Sequence, residues 1–204
     1  MEKIDINLIK PKDRIVVFDL LFNLKLHSEE SYIHSIDVAK KSTSLARAMG
    51  ISETDLDVLY TASLLHDIGK LYVDESLLHK PNATLYEKSL IQSGHIEGTK
   101  AILSEHFDES IVKLATHHHE RLNSSGYPEH LNAKKLDILD RILQVADVTS
   151  ALSMKRSYQD ACSPDQIIEI LENLVRRGEL DKRCVQEMIK SFLEPQKIHS
   201  QFES

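Results

Sequence analysis

Tryptophan is absent from the 204 residues, cysteine occurs twice, proline five times and glycine six times. Cys162 and Cys184 lack the paired spacing of a thiolate cluster, which argues against a cysteine-type zinc site and reads as two free thiols in a reducing compartment. So little glycine and proline, with no sustained alternation of polar and apolar residues, disfavours a sandwich or barrel. No apolar stretch approaches the roughly 20 residues of a membrane-spanning helix, and no charged-then-apolar leader opens the chain. Twenty-five lysines and arginines against thirty-two aspartates and glutamates leave a net charge of −7 without a basic run, so binding along a nucleic-acid duplex is not expected. Nothing resembling a repeat or linker divides the chain. The expectation is a single all-α, cytoplasmic domain.

What is present supports helices. From about Arg14 to Leu26 the residues Ile15, Phe18, Leu21 and Phe22 recur at helical spacing, suited to packing on the body or on a second copy. Ser28 is a candidate N-cap for a helix reaching Met49 and closed by Gly50, with Val38, Leu45 and Met49 as its buried stripe. Ser52 opens a third helix containing Leu56, Leu59, Leu64 and Leu65. Thr84 with Glu87 forms a capping box before a helix from Leu85 to about His106. A further helix starts near Glu109, another spans about Leu136 to Met154, and Ser163, Pro164 and Gln166 open one that Gly178 ends, with Ile167, Ile170, Leu171 and Leu174 buried.

Histidine is the anomaly. There are eleven, and His34, His66, His95, His117, His118, His119 and His130 crowd the middle of the chain. His66 and Asp67 stand side by side in LLHDIGK. Adjacent residues on a helix diverge by about 100°, so this pair can serve one metal or two neighbouring metals only at a helix end, which Gly69 is expected to supply. Glu30 and His34, four apart, share a helical face. Three consecutive histidines at a helix end, followed by Glu120, favour ligation, because neutral imidazole is the commonest metal ligand. Asp147 lies among Ile142, Leu143, Val145, Ala146 and Val148, where an unpartnered carboxylate would lose several kcal/mol of solvation.

In order and in spacing these blocks resemble the HD-GYP family of cyclic di-GMP phosphodiesterases, a branch of the HD-domain metallohydrolases. The similarity covers HSIDVA from His34, LLHDIGK, SGHIEGTKAIL, HHERLNSSGYP and RILQVADVTSALSMKRSY. It implies an all-α HD-domain helical bundle with a metal centre in its core, formed by His34, His66, Asp67, His95, His118, His119 and Asp147. Asp67 would bridge two metals, and Glu30 occupies the position that brings a third in some members. Imidazole and carboxylate ligands without thiolate suit Fe or Mn and also admit Zn. Two such metals about 3.5–4 Å apart can share a hydroxide for in-line attack on phosphorus. The resemblance further implies hydrolysis of cyclic di-GMP to linear pGpG, leaving open a second step to GMP, with Lys70 offsetting charge at phosphorus and Tyr127 and Arg156 contacting substrate. Residues 1–27 then read as an arm and helix, 28–194 as the catalytic domain and 195–204 as a tail.

Four departures from the family pattern are expected on the substrate side: Thr99, Ser124 and Ser150, and a clamp reading Arg156, Ser157, Tyr158, Gln159. They leave a different cyclic dinucleotide open as substrate. Other readings also fit: an HD phosphohydrolase for another nucleotide, a non-hydrolysing module sensing cyclic di-GMP, redox state or oxygen through a di-iron centre, and a helical scaffold with incidental histidines. Residues 1–27 are too short for a sensory domain, so regulation would come from a homodimer through the first helix, a separate partner or substrate supply.

Overall fold

Hydroxyl and carboxylate caps decide where most of the helices start. The computed structural model describes residues 4–78, 80, 82–155 and 161–200, with side chains as far as Phe192. After a 3-10 turn at Ile6–Leu8 come α1 (Arg14–His27), α2 (Glu29–Ala48) and α3 (Glu53–Leu65). A second 3-10 turn, Ile68–Tyr72, leads to the single turn α4 (Glu75–Leu78), then α5 (Leu85–Ser104), α6 (Glu109–Thr116), α7 (Ile138–Ser153), α8 (Pro164–Arg176) and α9 (Lys182–Ser200). Ser28 accepts from the Ser31 amide and Ser52 from the Asp55 amide, while Thr84 with Glu87 and Ser163 with Gln166 form complete capping boxes. Asp137 and Asp140 form another at the start of α7, which begins two residues later than the apolar pattern suggests. Gly50 and Gly178 close their helices at φ +75° and +70°. Among the described residues there is no strand, only an isolated bridge between Asn123 and Asn132.

The core forms around α3, where Leu56, Leu59, Leu64 and Leu65 are all fully buried. Helix α2 lies along α3 and α7, and α5 crosses the second 3-10 turn. Two stripes differ from the sequence pattern. On α1 the body is met by Val17, Leu20, Leu21 and Leu24, whereas Ile15, Phe18 and Phe22 point outward, Ile15 at 83% exposure. On α8 only Ile167 and Leu171 are buried, while Ile170 and Leu174 are half-buried.

Gly69 does not end a helix. Helix α3 has stopped at Leu65, and Gly69 lies inside the following 3-10 turn without a positive φ. Its role is close approach: a Cβ there would sit 1.8 Å from the His95 carbonyl oxygen and 2.2 Å from the Thr99 amide. Gly98 faces it from α5, where a Cβ would come within 2.9 Å of the Gly69 carbonyl. Thr99, fully buried, locks the crossing by accepting from the Gly69 amide at 3.0 Å and donating to the His66 carbonyl at 3.1 Å. Gly69→Ala must push these two backbones apart, with an overpacking cost of about 1–3 kcal/mol. At roughly 2–4 °C per kcal/mol for a chain of this size, a thermal melt should register the loss, and an unchanged midpoint would contradict the close-approach role.

Candidate metal centre

The His66–Asp67 pair gains its geometry from the way α3 ends. His66 still has helical backbone angles (φ −57°, ψ −32°), while Asp67 has left them (φ −101°, ψ 7°). That step re-aims the second side chain relative to the first, and the crossing of α5 holds it there.

Three imidazoles share one device. Nδ1 of His66 lies 2.8 Å from the Ser63 carbonyl, Nδ1 of His95 2.8 Å from that of Ile91, and Nδ1 of His118 2.6 Å from that of Ala115. A carbonyl only accepts, so each Nδ1 carries a proton, and the neutral form of each ring presents its lone pair at Nε2. All three Nε2 atoms are buried without a hydrogen-bond partner. A buried orphan polar atom costs about 1–3 kcal/mol, and three of them converging on one space fit a cation between them.

The ligand-type atoms fall into two groups, His95, His118 and His119 in one and His34, His66 and Asp67 in the other, each with one donor atom per residue inside 4.8 Å. Asp67 stands between them. Its Oδ2 is 3.4 Å from His66 Nε2 and 3.8 Å from His34 Nε2, and its Oδ1 is 3.9 Å from His118 Nε2. Asp147, on α7, places Oδ1 3.0 Å from His34 Nε2 and 3.7 Å from His66 Nε2. Glu30 is half-buried one turn before His34 and belongs to neither group.

Burial lowers His34 against the pull of Asp147, lowers His95, and holds His118 well down with help from His119 and His66. It takes His119 to about 3. His66 goes the other way: burial would lower it, but the neighbouring Asp67 charge raises it above its ordinary value. Burial would raise both aspartates, yet Lys70 and His66 hold Asp67, and His34 holds Asp147, well below the carboxylate range. Two charged carboxylates therefore lie beside four imidazoles that burial keeps neutral, those of His34, His95, His118 and His119, with the Lys70 ammonium 2.6 Å from Asp67 Oδ2. One lysine against two buried aspartates leaves a negative charge that a divalent ion would compensate.

Above this centre lies a cavity of about 820 Å³ lined by His34, Asp67, Lys70, His95, His119, Tyr127 and Asp147 among others. The Tyr127 ring stacks on His119, centroids 4.6 Å apart at 30°, and the Tyr127 amide donates to the His119 carbonyl at 3.3 Å. Burial, with the Asp67 and Asp147 charges, pushes the tyrosine hydroxyl up, so it stays protonated at neutral pH. Gly126 makes this loop fit, since a Cβ there would meet the Arg121 amide and the His119 carbonyl at 2.4 Å. Ser124 holds φ +64°, where a glycine fits freely and a serine bears a cost of about 1 kcal/mol.

Several residues have roles the sequence pattern does not reveal. Glu120 orients no ligand: fully buried, its carboxylate accepts from the Glu129 amide at 2.6 Å and the Leu131 amide at 2.8 Å, fastening the loop that carries Tyr127. Nothing local marks it, because its partners are main-chain donors nine and eleven residues on. His117, next to the two clustered histidines, instead meets Asp140 at 3.2 Å and ties the end of α6 to α7. Thr99 and Ser150 lie behind the metal-binding candidates and neither lines the cavity, Thr99 being in the helix crossing and Ser150 having its Oγ 3.0 Å from His34 Nδ1. Arg156, Ser157, Tyr158 and Gln159 lie outside the described residues.

Residues 18–184 match the family model described as the HD domain. The 3'3'-cGAMP-specific phosphodiesterase 1 of Vibrio cholerae serotype O1 is 33% identical over 80% of this chain and 38% of its own length. The cyclic di-GMP phosphodiesterase response regulator RpfG of Xanthomonas campestris pv. campestris is 32% identical over 78% of the chain and 42% of its own. The chain thus spans well under half the length of these relatives. In structure it is similar to the HD domain of the L. monocytogenes phosphodiesterase PgpH in complex with cyclic-di-AMP, with a TM-score of 0.64 at 19% identity over 85% of this chain and 95% of that one. That likeness is one of fold. A sequence match that runs from α1 to α9, with the His66–Asp67 pair at the heart of the bundle, makes this chain a member of the HD-domain family.

Proposed function

We propose that the chain is a metal-dependent phosphodiesterase that opens a cyclic dinucleotide. The observation that carries this reading is the convergence of three partnerless Nε2 atoms on either side of Asp67, at the floor of a cavity large enough for a small ligand. His95, His118 and His119 would hold one divalent ion, His34, His66 and Asp147 a second, and Asp67 would serve both. Glu30, one turn from His34, is the candidate ligand for a third. Nitrogen and oxygen donors without thiolate suit Fe or Mn and accept Zn. When bound, such ions supply Lewis acidity toward water and phosphoryl oxygens.

The protein's own groups do the rest. Lys70 keeps Asp67 ionised, and from the cavity wall its ammonium offsets negative charge growing on a phosphoryl oxygen. Tyr127, fixed against His119 and protonated, offers a face on which a base can stack and a hydroxyl that can donate. Arg156 is the candidate second contact to substrate. The relatives act on 3'3'-cGAMP or cyclic di-GMP by name, and we assign this chain a substrate of that class, opened to a linear dinucleotide. Free Cys162 and Cys184 support a cytoplasmic setting, and no helix among the described residues is long and apolar enough to cross a membrane.

Elemental analysis after loading with Mn or Fe should find at least about one metal per chain, and Asp67→Ala should lose metal and at least about 1,000-fold of the hydrolysis of cyclic di-GMP or 3'3'-cGAMP. Full metal content or full rate in that variant would count against the assignment.

The metal-free protein should weaken in mild acid. His34, His95, His118 and His119 have folded pKa values below the ordinary 6.5, so their unfolded forms take up protons first. Their contribution is complete above pH 6.5 and falls away below it. His66, raised, contributes in the opposite sense, holding below 6.5 and fading above. Four against one predicts a lower urea midpoint at pH 5.5 than at 7.5 in chelator, and a flat or rising midpoint would refute it.

A further inference from the structure

The cavity above the metal centre carries a charge pattern that hydrolysis at one phosphate does not need. In a chain of net charge −7, the carboxylates in its wall among the described residues are Asp67 and Asp147, both assigned to the metals, while three described lysines line it: Lys70, Lys80 and Lys88. Two of these ammonium groups are engaged. Lys70 pairs with Asp67, and Lys80 pairs with Glu87 at 2.6 Å. Glu87 is saturated in turn, since it also accepts from the Thr84 amide at 2.8 Å and the Thr84 hydroxyl at 3.0 Å in the capping box of α5. That arrangement fixes Lys80 across the first turn of α5.

Lys88 is exposed on the next turn, and among the described residues it has no ion pair. It is placed in line with the centre. Lys88, Ile91, Gln92 and His95 all line the cavity at the spacing of one helical face. Lys88 and His95 are seven positions apart, about 10 Å along the axis, and the lysine's flexible stem can shorten that distance toward the centre.

The other side of Tyr127 differs. A groove of about 260 Å³ there is lined by serines, Gln92 and Glu97 without a lysine, so of the two sides of Tyr127 the one that holds Lys70, Lys80 and Lys88 is the better suited to an anion. A cyclic dinucleotide has two phosphates, and the metals with Lys70 account for one. We infer that Lys88, with Lys80 beside it, holds the second, uncleaved phosphate, which makes the start of α5 a substrate-selecting element. This rests on the cyclic dinucleotide reading above.

The test is steady-state kinetics of the Mn-loaded protein and its Lys88→Ala and Lys88→Arg variants on whichever of cyclic di-GMP and 3'3'-cGAMP the unmodified protein opens faster. Bis(p-nitrophenyl) phosphate serves as a one-phosphate comparison. Loss of a charge-assisted hydrogen bond should raise KM about tenfold in Lys88→Ala with kcat within about twofold, and Lys88→Arg should recover most of it. The fall in kcat/KM should be at least about fivefold greater on the dinucleotide than on the one-phosphate ester. An unchanged KM, an equal loss on both substrates, or a fall in kcat alone would overturn the assignment of Lys88. If the unmodified protein cleaves the one-phosphate ester and opens neither dinucleotide, the substrate reading itself fails, and the role of Lys88 with it.

Discussion

A carbonyl oxygen can accept a hydrogen bond but never donate one, and that asymmetry governs the centre of this molecule. By receiving Nδ1–H from His66, His95 and His118, the carbonyls of Ser63, Ile91 and Ala115 settle which nitrogen of each ring carries the proton. What faces inward is then a set of lone pairs, buried and without partners, around an ionised aspartate. A protein without a cation to bind would leave these groups as uncompensated cost. Each of the three carbonyls belongs to a residue three or four positions before its histidine, so the device is built from local helical geometry and needs only that the helices meet.

Their meeting depends on an absence of side chain. Gly69 and Gly98 allow the turn after α3 to touch α5, and Thr99 bolts the contact with two hydrogen bonds. Without that contact His95, on α5, would stand away from His66 and Asp67 at the end of α3. Shared placement of Asp67 between two ligand groups is thus a consequence of backbone packing as much as of the residue's own chemistry.

The helical class, most caps and the clustered histidines were legible in the sequence because each rests on short-range rules. Thr84 with Glu87, or Gly50 after α2, act within a turn, and periodic leucines such as Leu56, Leu59, Leu64 and Leu65 record a buried face. What was not legible involves partners distant in the chain. Gly69 reads as a helix stop, and only the position of α5 shows that it is a contact point. Ile15, Phe18 and Phe22 have helical spacing, yet spacing alone does not say which of two overlapping stripes meets the body. Thr99 and Ser150 look like substrate-side departures until the fold places them behind His66 and His34. Glu120 is invisible for the same reason, as a carboxylate whose partners are main-chain amides of a loop.

The stacking of Tyr127 on His119 has a consequence of a different kind. The chain has six tyrosines and no tryptophan, so its intrinsic ultraviolet emission is dominated by phenol rings. One of those emitters lies flat against an imidazole of the candidate metal centre, in a loop pinned at its amide and by Glu120. A cation held by His119 would lie next to that ring, so its emission would serve as a reporter of binding without a label or an added chromophore.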